Sequence, residues 1–165
     1  MRSDHRLLAV AVAVAVLFGA GWLWRAADDR IARTELVPAG EPLQLDQVEY
    51  RLASLATPGS VPSGFDELVT PLPDAVLVLA RIDYDATART EPLYCGFQLV
   101  AGELIWKPHR DYYPADPDTG SCEAGGSGTA TVLFEVPEHL LGQVQGVGVL
   151  PGDDRPLPVL QGRPG

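Results

Sequence analysis

Cysteine is scarce in this chain. There are two among 165 residues, Cys95 and Cys122, which excludes a disulfide-dense mini-protein and a four-cysteine zinc site. Lysine is almost absent, with Lys107 alone beside 11 arginines. Nor is there a surplus of positive charge. Acidic residues number 22 and basic residues 12, for a net charge of −10, which argues against sequence-independent nucleic-acid binding. No phosphate-binding glycine loop and no Cys-x-x-Cys pair occurs.

What is abundant narrows the class further. Hydrophobic residues make up 46% and charged residues 21%, the balance of a folding chain and not of a disordered one. The 17 glycines and 15 prolines exceed the usual share and argue for many turns and against a helical bundle. The length suits about one domain. The arginine bias, with heavy Ala, Gly, Val and Pro use, has the look of GC-rich bacterial coding.

Residues 7–24 (LLAVAVAVAVLFGAGWLW) carry no charge. As a helix this run is about 27 Å long, close to the ~30 Å hydrocarbon core of a bilayer. A strand of that length, apolar on both faces and without a turn signal, is the poorer account. Trp22 and Trp24 fall where an interfacial aromatic belt would lie. The run exceeds a typical signal-peptide core, and cleavage sites are poor: cutting after Ala20 leaves Phe18 at −3, and cutting after Ala27 leaves Arg25 there. The expectation is an uncleaved single-pass anchor whose partner is the lipid bilayer. Cleavage and release of a secreted domain is the alternative.

Flanking charge gives no clean orientation, since Arg2 and Arg6 precede the run and Arg25, Arg30 and Arg33 follow it. The N-terminal tail is too short for a domain, and a cysteine pair suits an oxidising compartment. The N-terminus is therefore expected inside and the rest outside. Residues 1–6 read as a cytoplasmic tail, 7–24 as the cytoplasmic-membrane anchor and 25–40 as a juxtamembrane stalk. Residues 41–161 read as an extracytoplasmic β-sandwich and 162–165 as a disordered tail. Without Arg2, Asp4 and Arg6 the exported part carries −11, which reads as ordinary solubility. The stalk can continue the helix through the i,i+4 pairs Arg25–Asp29 and Asp29–Arg33 as far as Val37, where Pro38-Ala39-Gly40 stops it.

Beyond Glu41 the pattern is that of strands. Leu43, Leu45, Val48, Tyr50 and Leu52 alternate with one slip at Asp46-Gln47, which fits a tight turn or a bulge. Residues 57–73 read as a long connection with one helical turn at Phe65-Asp66-Glu67-Leu68. Residues 75–84 (AVLVLARIDY) form the strongest strand. Val76, Val78, Ala80, Ile82 and Tyr84 share one face, while Leu77 and Leu79 begin the other and Arg81 and Asp83 continue it. Residues 93–100 and 104–107 resemble a hairpin. Residues 109–127 form a long polar loop, 129–136 another alternating strand, 137–141 a helical turn, and 144–150 and 156–160 the last strands. Pro156 and Pro158 place the final strand at a sheet edge, since proline cannot donate to a ladder. About seven short strands with turns between them read as an all-β, antiparallel sandwich.

Three segments resemble the DUF4352 group of exported bacterial immunoglobulin-like domains. Ala39-Gly40-Glu41-Pro42-Leu43 leading into Val48-Glu49-Tyr50-Arg51-Leu52 is similar to its opening. Ala75-Val76-Leu77-Val78-Leu79 is similar to its central strand. Gly128-Thr129-Ala130 into Val132-Leu133-Phe134-Glu135-Val136-Pro137 is similar to its late Phe-x-Val-Pro segment. The resemblance covers residues 39–150. It implies an immunoglobulin-like sandwich outside the membrane and no catalytic residues. The chain departs from the group in having no cysteine after the apolar run to carry a lipid, and in carrying Asp83-Tyr84-Asp85 where an Asn is usual.

Cys95 and Cys122 lie 27 residues apart and outside any redox motif, so a structural disulfide is expected. It would pin the polar loop to the strand before it, worth about 3–4 kcal/mol in the chain-entropy model. Asp111, Asp116, Asp118 and Glu123 crowd that loop, but the spacing fails the EF-hand pattern. Asp116 and Asp118 are weak metal candidates in what reads as a solvated acidic loop. His109 and His139 are too few for a zinc site. Ser127 sits among glycines but without the strand–turn–helix of a nucleophile elbow. No cofactor is implied. Trp106, His109, Asp111, Tyr112 and Tyr113 form the candidate binding surface, with Trp106 in the core and the tyrosines over the sheet end as the plainer account. The expected function is a non-catalytic binding or accessory domain of the cell envelope, its partner another envelope protein. A small metal-dependent envelope enzyme built on Asp111, Asp116 or His109 is the alternative.

Overall fold

The computed structural model describes residues 34–64, 67–91, 94–114, 122–152 and 155–165. The segments expected as cytoplasmic tail, anchor and stalk lie, before Thr34, outside these residues. Among the described residues no helix is long and apolar enough to cross a membrane.

The described chain forms eleven strands: β1 (Thr34–Val37), β2 (Leu43–Leu45), β3 (Val48–Ala56), β4 (Val61–Pro62), β5 (Leu68–Val69), β6 (Ala75–Asp85), β7 (Phe97–Ala101), β8 (Leu104–Trp106), β9 (Ser127–Pro137), β10 (Val144–Val149) and β11 (Leu157–Gln161). One sheet runs β1-β11-β10-β7-β8, the other β2-β3-β6-β9, and β4 and β5 make a small ribbon. Every pairing is antiparallel except that of β1 with β11. This is an all-β sandwich.

The alternation of β6 does what its sequence asks. Val78, Ala80, Ile82 and Tyr84 turn into the space between the sheets, where they meet Phe97 and Leu99 of β7, Phe134 and Val136 of β9 and Val147 of β10. Each fully buried Ile, Leu, Val or Phe contributes roughly 1.5–3 kcal/mol. On the opposite face Leu77 joins Val61 and Leu133 in a second cluster, under the β4–β5 ribbon, while Arg81, Asp83 and Asp85 face solvent. The slip at Asp46-Gln47 is a two-residue hairpin turn. Leu45 pairs with Val48, and Asp46 and Gln47 both take positive φ, 52° and 67°, the geometry of a type I′ turn. Gly102-Glu103 joins β7 to β8 as a second two-residue turn, with Ala101 opposite Leu104, but here only the glycine takes positive φ, 59°, the glycine-first pattern of a type II′ turn.

Several expectations are corrected. Thr34–Val37 is a strand and not the end of a helical stalk, because it lies parallel beside β11, Thr34 opposite Leu157 and Val37 opposite Leu160. For the same reason β11 is interior and not the edge. Pro158 is tolerated there because the ladder to β10 begins at Val159. The connection 57–73 contains the β4–β5 ribbon, and Leu68 is in a strand; Phe65 and Asp66 lie outside the described residues. The strand expected from residue 93 starts at Phe97. The C-terminal end is tied down, since Gly162 N–H donates to the Gln145 carbonyl at 3.1 Å and Gly165 N–H to the Leu55 carbonyl at 3.3 Å.

Candidate functional site

β9 is the last strand of its sheet among the described residues, and its edge lies near the start of β7. The chain leaves β8 at Trp106, runs through Lys107 and Pro108, and reaches β9 at His109, whose N–H donates to the Leu133 carbonyl at 2.7 Å. Between Gly96–Gln98 on one side and Ala130–Leu133 on the other lies a cleft of about 510 Å³. Lys107, Pro108 and His109 form one end. Tyr94, Tyr112, Tyr113 and Leu150 rim it. Tyr94 is 85% exposed and Tyr113 53%.

Cys95 and Cys122 are joined, with Cα atoms 5.8 Å apart. The bridge links the segments that lead into β7 and β9, and so holds the two walls of the cleft at one end. The Tyr50 hydroxyl lies 3.5 Å from Cys95 Sγ, and its ring meets Phe97 edge-on at 6.2 Å. Burial pushes the Tyr50 phenol up; the nearby Arg89 charge works against this. On the other side of the bridge, Glu123 N–H donates to the Tyr84 hydroxyl at 3.2 Å.

Most of the sequence candidates do come together. His109 Nδ1 accepts the Asp111 N–H at 3.3 Å, and its Nε2 lies 3.7 Å from Glu135 Oε2. Glu135 Oε1 accepts the Leu72 N–H at 2.6 Å, so this carboxylate joins the loop to the segment before β6. Tyr112 packs on the Val61–Leu77–Leu133 cluster. Burial raises its phenol above the ordinary value, with Arg81 pulling the other way. The Tyr113 carbonyl accepts Gly64 N–H at 2.9 Å and lies 3.5 Å from the Ser63 hydroxyl. Trp106 does not line the cleft; it is half-buried against the main core. Asp111 is exposed, and its side chain takes no part in these contacts. Asp116 and Asp118 lie outside the described residues, among which there is no group of three or more metal-ligating side chains.

Several cleft residues were not legible in the sequence as site residues, among them Lys107, Tyr94, Leu150 and Thr131. Tyr94 precedes Cys95 directly, and only the bridge shows that this stretch turns toward the cleft. Leu150 is placed by its N–H, which donates to the Gly96 carbonyl at 2.8 Å. Thr131 lines the cleft through its place on the β9 edge. No carboxylate lines the cleft among the described residues, in a chain with 22 acidic residues.

No family model matches the chain, and no curated protein matches it in sequence. Among solved structures it is similar to an uncharacterized β-sandwich protein from Clostridium difficile 630, at a TM-score of 0.51 and 10% identity, over 78% of this chain and 95% of that one. That likeness shows the sandwich fold. A structure described as a "putative lipoprotein (ycdA)" from Bacillus subtilis matches at a TM-score of 0.40 and 12% identity, over 71% of this chain and 35% of that one.

Proposed function

We propose that this chain is a membrane-anchored, non-catalytic binding domain displayed outside a bacterial cytoplasmic membrane, and that its binding surface is the cleft rimmed by Tyr94, Tyr112 and Tyr113. The observation that carries the reading is the cleft itself. It is open and largely apolar, with two exposed tyrosines at its mouth and a main-chain frame fixed by the Cys95–Cys122 bridge. Exposed aromatics over a rigid frame suit recognition of another molecule. Display outside the membrane is supported by the uncharged run 7–24 and by the disulfide, which persists in oxidising compartments.

The finer fold reading is an immunoglobulin-like sandwich of the DUF4352 kind. In its support, β6 and β9 share one sheet while β7, β8, β10 and β11 share the other. That is the division of strands B and E from C, C′, F and G in an immunoglobulin sandwich. The bridge differs, because it precedes β7 and β9 and does not join the two sheet centres.

Site-specific photo-crosslinking in intact cells tests the function. A photoreactive residue at Tyr113 is expected to give a discrete adduct with another envelope protein. The same residue at Glu103, in the β7–β8 turn, is expected to give none. Equal labelling at both places, or none at either, would overturn the reading. A rise of several degrees in melting temperature on adding calcium or zinc would favour a metal-dependent enzyme instead.

A further inference from the structure

We infer that the free edge of β9 takes up an extended peptide segment of a partner protein as an added strand, and that Lys107 holds a carboxylate of that segment. The inference rests on the binding role of the cleft and names its occupant.

The main chain of β9 carries the argument. Its register with β6 is unbroken from Ala75 opposite Pro137 to Asp85 opposite Ser127. In an antiparallel strand the N–H and C=O of one residue point to the same side, and neighbouring residues point to opposite sides. The Leu133 carbonyl points away from β6, because it accepts the His109 N–H. Thr131 and Thr129 therefore present their main-chain groups to the same outer side. The Gly126 carbonyl, of the other parity, accepts from Ala86 just past β6, as the alternation requires. Among the described residues, the His109–Leu133 bond is the one main-chain bond made on that outer side. An immunoglobulin constant-type sheet has a further strand, D, beside this position. Here the place beside β9 holds no strand among the described residues.

An exposed edge is a template for strand addition, and natural folds normally shorten, charge or cover it. The β9 edge at Thr129 and Thr131 carries neither lysine nor proline, and it opens on a cleft that accepts side chains. Alternate residues of an added strand would face the gap between Val132 and Phe97, closed beyond by Leu150. Charge selects among peptides. The only lysine of the chain lines the cleft and makes no ion pair among the described residues. Among the described residues no carboxylate lines the cleft beside it, whereas the chain as a whole is strongly acidic. An anionic segment is thus repelled elsewhere and accepted here. The carboxylate can be an Asp or Glu side chain or a chain terminus.

The test is selection of a random peptide library, displayed with free C-termini, on the full chain in detergent micelles, followed by anisotropy titration of the winners. Enriched peptides are expected to alternate apolar and polar residues and to carry a carboxylate. Their C-terminal amides and their Asp/Glu→Asn/Gln versions show which carboxylate is bound. Lys107→Ala is expected to weaken them about tenfold. Thr131→Pro removes an outward N–H without breaking the ladder to β6, and is expected to abolish binding while leaving the melting temperature nearly unchanged. If Thr131→Pro unfolds the domain, Lys107→Glu on the exposed surface serves in its place, with a still larger loss expected. Winners that bind Thr131→Pro or Lys107→Glu as well as the parent would overturn the inference. So would an empty selection, or a concentration-dependent dimer abolished by Thr131→Pro, which would make the occupant a second copy. In those cases a surviving Tyr113 crosslink leaves the binding role standing, and its loss removes both.

Discussion

The His109 N–H meets the Leu133 carbonyl at 2.7 Å, and this bond is where the chain passes from one sheet to the other. It closes one end of the cleft, as the Cys95–Cys122 bridge closes the other. The imidazole then adds its own contacts, accepting the Asp111 N–H and facing Glu135. His109→Ala keeps the main-chain bond and loses these contacts. It is expected to destabilise the domain by about 0.5–1.5 kcal/mol in urea titration. Asp111→Ala, which retains the N–H that His109 accepts, is expected to stay within about 0.5 kcal/mol of the parent.

The bridge stabilises by limiting the unfolded chain. Replacing both Cys95 and Cys122 with Ser is expected to cost about 3 kcal/mol in the same titration. Reduction of the parent should reproduce the loss. A double variant as stable as the parent would show that the loop is held without the bridge.

Gly146 sits at a register shift between β10 and β7 with φ of 154°. A Cβ there would stand 2.0 Å from the Leu160 carbonyl oxygen, and that atom is backbone and cannot swing away. Gly146→Ala is expected to destabilise by at least about 2 kcal/mol in thermal melting. Gly142→Ala, with open space around its Cβ position, is the control and should be close to neutral.

Burial holds the phenols of Tyr50 and Tyr112 in the protonated form beyond their ordinary value. In the unfolded chain they lose the proton near pH 10, so above that pH the unfolded state binds fewer protons than the folded one. Stability is fully present below pH 10 and falls as the pH rises beyond it. Tyr112→Phe is expected to flatten this alkaline fall, read as the melting temperature between about pH 9 and pH 11.

How much of this was legible in the sequence depends on where each element finds its partner. β6 was readable because its own alternation states which face is buried, and the Asp46-Gln47 turn because the apolar phase slips there. β1 was not. Four residues between Arg33 and Pro38 carry no periodicity of their own, and their strand comes from β11 at the far end of the chain. The same distant pairing makes Pro158 interior, contrary to what proline alone suggests. At the site, His109, Tyr112 and Tyr113 were found by their clustering in one loop. Tyr94, Thr131 and Leu150 reach the cleft from three other segments, through the bridge, the β9 edge and the Leu150–Gly96 bond. Nothing local marks them.

The central claim is that this sandwich is held outside the membrane by the segment that precedes it. The most direct measurement is protease treatment of intact spheroplasts bearing a tag after Gly165. The account predicts that the tag is digested before the bilayer is breached, and that the tagged protein stays with the membrane fraction. A tag protected until detergent is added, or a tagged protein found free in the medium, would contradict it.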